Sequence, residues 1–196
     1  MAGVIYICSS GVDPAAGDVL TDPLFGPVPT LGACVPNLRR IVEPGDWLFV
    51  ISGRKRNLSQ YVIGGLRVAE KIDALAAYRR LPENRMRREP DGRVHGNIPV
   101  DEQGQKHAFD RHSTDNFERR IQNYIVGDRS LHLSTPAEVA LSRAQTLPTI
   151  SDLKRKQRNR VIDVMGRHAK LSNDDVDRVL DWLNGIKRAA HGQPPR

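Results

Sequence analysis

The sequence predicts an α+β fold, with a mostly antiparallel sheet curled into a small barrel and helices around and after it. Two observations point there. About five β-rich stretches precede residue 135, joined mostly by loops of a kind that favours antiparallel neighbours, and beyond it the composition turns helical. The expected division is a domain over residues 1–134 and a basic helical extension over 135–196.

The 196 residues are 39% hydrophobic and 27% charged, with mean hydropathy −0.48, the make-up of an ordinary globular chain. A chain of this length buries roughly 70% of its unfolded surface, so folding needs neither disulfide nor metal. No apolar run approaches the ~18 residues of a membrane-spanning helix. The opening MAGVIYICSS lacks a basic segment and a long apolar core, so it does not read as a signal peptide. The two cysteines, Cys8 and Cys34, form no disulfide framework and fit a reducing cytoplasm, the expected location.

Residues 2–9 are β-branched and aromatic and read as a buried strand. Residues 10–32 carry Pro14, Pro23, Pro27 and Pro29 and read as a long loop, of the kind that is usually functional. Pro36 opens a short helix. Pro44-Gly45-Asp46 turns into a strand over 47–52, and a hairpin tipped by Arg54-Lys55-Arg56 returns through 60–71, where Gly64-Gly65 signals a bend. A helix is expected over 72–81, loops over 82–110, a short helix from Ser113 or Thr114 to Arg120, and a strand over 121–126 ended by a Gly127-Asp128 turn. Helices follow from Thr135, over 151–167, and from the Ser172–Asp175 capping box. In the last, Val176, Val179, Leu180, Leu183 and Ile186 form an amphipathic stripe, and the tail 191–196 is expected to fray.

Thirty Lys and Arg against 23 Asp and Glu give a net charge of +7 and suit a polyanionic partner. The cations cluster at Arg39-Arg40, at the hairpin tip, over 79–88, and over 154–160 on what reads as a solvated surface helix. Trp47, at the start of a strand, is either a packed indole or a platform for a nucleobase. His95, His107 and His112 lie in the glycine-rich central region near Asp110 and Asp115, but H-x4-H on a loop is a weak metal signal, and no metal or cofactor is expected. Cys34, ahead of Asn37 and Arg39 at a helix start, is a small buried thiol or one with a lowered pKa. Asp128 reads as a turn former. No P-loop, G-x-S-x-G, H-E-x-x-H, C-x-x-C or G-x-G-x-x-G occurs, which argues against the familiar enzyme classes.

The succession Thr30-Leu31, Cys34, Pro36, Arg39-Arg40, Gly45-Asp46-Trp47, then Val68 and Glu70, resembles the nucleotide-modification-associated domains, the second family of that name, over roughly residues 3–134. The chain departs from that pattern in a longer, more acidic proline loop and in Val35, where the family carries Lys. The G-D-W strand and basic turn are also similar to the PUA-like group, including the EVE and ASCH domains. Those are small barrels that hold a modified base or bind RNA. The resemblance implies a link to hypermodified nucleobases in phage and bacterial systems.

Together these readings lead to a module that recognises a modified nucleobase or nucleotide, most simply in DNA, and makes no contact with membranes. Arg39, Arg40, Arg54, Lys55 and Arg56 would hold phosphates, Trp47 would stack on the base, and Asp13, Thr30, Asp46 or Asn97 would bond its edge. One alternative is an enzyme acting on modified nucleotides, with His112, Asp110, Glu70 and Cys34 as catalytic candidates. Another is an adaptor that docks a protein partner on its C-terminal helix.

Overall fold

The computed structural model describes residues 2–8 and 11–192. Chain order is β1 (Gly3–Ile7), β2 (Thr30–Leu31), α1 (Pro36–Ile41), β3 (Trp47–Ile51), β4 (Val62–Ile72) and α2 (Ala74–Arg80). Then come β5 (Arg87–Arg88), β6 (Val94–His95), α3 (Phe117–Ile121), β7 (Tyr124–His132), α4 (Pro136–Leu153), α5 (Val161–Met165), β8 (His168–Leu171) and α6 (Asn173–Ala190). The fold is therefore mixed α+β. No described helix is long and apolar enough to cross a membrane.

Two compact units divide the chain, and neither is the expected 1–134 or 135–196 piece. The first comprises residues 1–19, 46–65 and 131–196; the second comprises 20–45 and 66–130. The C-terminal segment is no separate extension, because β8 pairs antiparallel with β1, Ile5 opposite Ala169, and α6 supplies the core beneath.

In the first unit β1 also pairs with β3, in parallel, with Ile5 opposite Phe49. The long connection between these strands has the length a parallel crossover needs, so this pair is the parallel member of a sheet expected to be mostly antiparallel. Ile5, Phe49, Ile51 and Val62 pack against Val176, Val179, Leu183 and Ile186 of α6. The amphipathic stripe of that helix is thus filled by its own chain. The start of β4 is bonded by α4: Val62 N–H donates to Thr146 Oγ1 at 3.0 Å and its carbonyl accepts from Ser142 Oγ at 3.3 Å. Reciprocal capping boxes start α4 at Thr135–Glu138 and α6 at Ser172–Asp175, as their sequences require. The expected helix over 151–167 is instead the end of α4, a non-helical segment and α5; Arg155 takes a left-handed φ of 48° just after α4. Its cations share no helix face.

In the second unit β2 pairs antiparallel with β7, Thr30 opposite Val126, and β5 pairs antiparallel with β6 within the region expected to be loop. Ala74, Ala77, Leu81, Ile98, Val100, Tyr124 and Val126 form its core. Gly127-Asp128 is no turn but lies inside β7, and glycine is needed there because a Cβ would meet the carbonyl oxygen of Arg67 at 2.6 Å. Of the tail expected to fray, residues 193–196 lie outside the described residues, as does the start of the proline loop at Ser10.

Candidate functional site

The second unit gathers most of the polar candidates. Asp22, fully enclosed at the end of the proline loop, accepts backbone N–H groups from Gly32 (2.9 Å), Ala33 (2.9 Å) and Cys34 (2.5 Å). Its Oδ1 also accepts from Asn97 Nδ2 at 2.8 Å. Burial raises the Asp22 pKa against the opposing pull of those N–H groups, the Asn97 amide and Arg39. Asn97 donates to Thr30 Oγ1 (3.0 Å) and accepts from Tyr124 Oη (2.6 Å), while Asn84 donates to Thr30 Oγ1 (3.0 Å). Thr30 and Asn97 therefore do meet, but both are 0% exposed and bonded to one another's neighbours. They fasten β2 to the 84–97 segment and do not present hydrogen-bonding edges to a base, which corrects their expected role.

Beside this network the catalytic candidates Cys34, His112 and Asp110 converge. His112 Nδ1 lies 2.7 Å from Asp110 Oδ1, and His112 Nε2 lies 3.8 Å from Cys34 Sγ. Asp110 receives both arms of Arg120, at 2.7 and 2.9 Å. Burial alone would raise the Asp110 carboxyl; the hydrogen bonds from His112 and Arg120 outweigh it and hold it well below the ordinary carboxylate range. Burial, reinforced by the Asp22 carboxylate, pushes the Cys34 thiol well above the usual thiol range. Of the two readings of Cys34, a buried thiol or one with a lowered pKa, this direction is that of the buried thiol. Glu70 takes no part: both its oxygens receive Arg80, at 3.0 and 2.5 Å. Asp128, expected to shape a turn, instead pairs with Arg67 across β4 and β7.

Arg39 is not a phosphate ligand. It is 0% exposed, and its guanidinium donates to the carbonyls of Cys34 (2.9 Å), Gln122 (3.0 Å), Asn123 (3.0 Å) and Arg120 (2.8 Å). These bonds fold the residues before and after it around one buried cation. Its neighbour Arg40 is exposed on α1. Among the described residues, no group of three or more His, Cys, Asp or Glu side chains is placed to hold a metal ion.

In the first unit Trp47 is no stacking platform, since it is buried and lies 5.6 Å from the Phe49 ring in parallel. Asp13 is buried in an ion pair with Arg143 (2.9 Å), and Asp46 accepts the Ala2 N–H at 3.1 Å. Neither offers a free edge to a base. The hairpin tip keeps its expected character: Arg54 and Arg56 are exposed, and Lys55 pairs with Asp18 at 2.6 Å.

Arg54 and Lys55 also line a cavity of about 710 Å³ inside the first unit. Arg143, Arg160 and Arg167 complete its basic wall, Leu147 and Ile162 supply apolar surface, and no Asp or Glu lines it. Asp13, Asp18 and Asp163 neutralise Arg143, Lys55 and Arg160 from outside the wall. Arg54 and Arg167 make no ion pair among the described residues. This cavity joins residues from four separate stretches of chain, and of these the sequence marked the hairpin tip as a phosphate contact.

No family model, curated protein or solved structure matches the chain.

Proposed function

We propose that this protein binds nucleic acid or a nucleotide carrying a modified base, in a DNA-modification or phage-defence setting. The observation that carries the reading is the basic cavity: about 710 Å³, five cationic side chains in its wall and no carboxylate. Such a volume is nucleotide-sized, and cations held against an apolar wall attract phosphate more strongly than cations on open surface. Arg54 and Arg167 contact phosphate, Lys55 stays paired with Asp18 at the rim, Arg56 extends the contact beyond it, and the apolar wall accepts the base. Exposed Arg40 is a candidate for a separate phosphate contact on the second unit. The resemblance to nucleotide-modification-associated domains supports the choice of a modified base as ligand. The PUA-like small barrel belongs to the same proposal; what supports it is β4, whose Gly64 and Gly65 admit the Leu131 carbonyl and the Phe49 ring where a Cβ would stand at 2.4 Å from each.

Fluorescence anisotropy with matched duplexes, plain and carrying methylated or hypermodified bases, tests this across a salt series. The expected result is binding that weakens steeply with salt and favours one modified duplex. The double variant Arg54→Ala/Arg167→Ala should weaken binding to all duplexes and flatten the salt slope by about one to two units. Absence of binding to every duplex and to free nucleotides would overturn the reading.

A further inference from the structure

We infer that Cys34, His112 and Asp110 form a thiol acyl-transfer centre on the second unit, accepting the acyl group of an activated ester or thioester. It lies wholly apart in sequence from the cavity residues, and no motif marks it, because its members are 78 residues apart along the chain.

Asp110 is ionised and can only accept hydrogen bonds, so His112 Nδ1 is the donor at 2.7 Å. In the neutral ring this leaves Nε2 unprotonated, and Nε2 is the atom facing Cys34 Sγ at 3.8 Å. Arg120 approaches the same Nδ1 at 3.0 Å, but its Nη2 donates to Asp110 Oδ1 at 2.9 Å. Asp110 is itself buried and braced by Arg120, so it is a positioning residue with little freedom. The groups facing Cys34 are Asp22, Arg39, Arg120 and His112, and those facing His112 are Cys34, Asp110 and Arg120. A thiol held protonated by burial and by Asp22 needs a base to react, and His112 is placed to be one.

The site is reachable: Cys34 is half-buried and the His112 side chain is 43% exposed. The backbone beside the sulfur is also strained. Val35 takes φ 44°, ψ 53°, a left-handed conformation that a β-branched residue before proline ordinarily avoids. The bond from Arg39 to the Cys34 carbonyl and the return of Leu38 N–H to Val35 hold it there. Strain of this kind persists where surrounding structure imposes it, and it clusters at reactive sites.

The Cys34 S–H proton passes to His112 Nε2 while Sγ bonds to the acyl carbon. The adduct collapses, the bond from carbon to the leaving oxygen or sulfur breaks, and the Nε2 proton goes to that leaving group. Water, deprotonated by His112, then attacks the thioester and releases a carboxylic acid and the free thiol. An ester or thioester is the fitting substrate class, and an amide is not. The N–H groups of Gly32, Ala33 and Cys34, which could otherwise stabilise an oxyanion, are all bonded to Asp22.

The test treats the intact protein with p-nitrophenyl acetate and, in a parallel arm, with acetyl p-nitroanilide, reading product release and locating the acetyl group by peptide mass. The expected result is a burst of one p-nitrophenol per chain from the ester, with the transient acetyl group found on Cys34 after an acid quench, and neither from the anilide. Cys34→Ala and Cys34→Ser should abolish that adduct. His112→Gln alters a side chain that is 43% exposed, and should slow acylation at pH 7 by about a hundredfold. Asp110→Asn removes the carboxylate beside the imidazole and should move the pH–rate profile to lower pH, a change that loss of stability alone does not produce. Acetylation elsewhere but not on Cys34, no acetylation, or an unchanged rate in His112→Gln would each overturn the proposal.

Discussion

Arg39 Nη2 donates to the backbone carbonyl of Arg120 at 2.8 Å, and Arg120 in turn clasps Asp110. One buried guanidinium thus fixes the main chain from which a second reaches its carboxylate. Cys34 is drawn in by the same cation, through the bond from Arg39 Nε to its carbonyl. The reactive cluster and the structural core of the second unit are therefore one assembly, and the following predictions separate its parts.

Arg39→Ala removes the donor to four carbonyls of a buried main-chain junction. Breaking a buried charged network by deleting one member costs about 3–5 kcal/mol. Urea denaturation should show a loss of this size, and Arg39→Lys should recover only part of it, since one ammonium cannot reach all four acceptors. A loss below about 1 kcal/mol would return Arg39 to the surface role its sequence suggests.

Gly32 stands where no side chain fits. A Cβ there would lie 2.2 Å from the Tyr124 ring and 2.4 Å from the Asn97 carbonyl oxygen. Gly32→Ala should lower the thermal midpoint by about 5–10 °C, as overpacking by 2–3 kcal/mol does in a chain of this size. A shift within about 2 °C would show that the junction yields easily.

Acid stability follows from three carboxylates. Burial would raise Glu138, but the N–H groups of Thr135 and Ser134 and the Lys187 ammonium outweigh it and hold the group at about 2. Asp110 is depressed as well. A folded pKa below the unfolded value, about 4 for carboxylates, contributes stability that is present above pH ~4 and lost as pH falls through the folded value. Asp22, whose pKa is raised, works in the opposite sense, and protonation relieves its burial. The urea midpoint should therefore fall between about pH 4.5 and 2, and Glu138→Gln should flatten that fall.

Deleting residues 135–196 would strip β8 from β1 and α6 from Ile5, Phe49 and Ile51. The remaining chain should be insoluble or unfolded by circular dichroism. The milder Leu183→Ala, at a fully buried position, should cost about 2–5 kcal/mol in the intact protein. A soluble, folded 1–134 fragment would restore the division read from composition.

Local signals determined what the sequence could say alone. The β-branched runs became β1, β3 and β4, Pro36 opened α1, and both capping boxes started their helices, because each depends on residues within a few positions. The identity of Cys34, His112 and Asp110 as chemically interesting was also legible, from residue type. Tertiary structure decided everything that needs distant segments. It buried Arg39, since a cation is accommodated where carbonyls from residues 120–123 converge on it. It buried Trp47 against Phe49, and it made Gly127-Asp128 part of a strand by bringing the Arg67 carbonyl alongside. It also assembled the basic cavity and the sulfur–imidazole–carboxylate alignment from stretches many residues apart. Periodicity reports which face of an element is apolar; it carries no information on which other element will cover that face, and that choice placed the C-terminal helix in the core of the N-terminal strand.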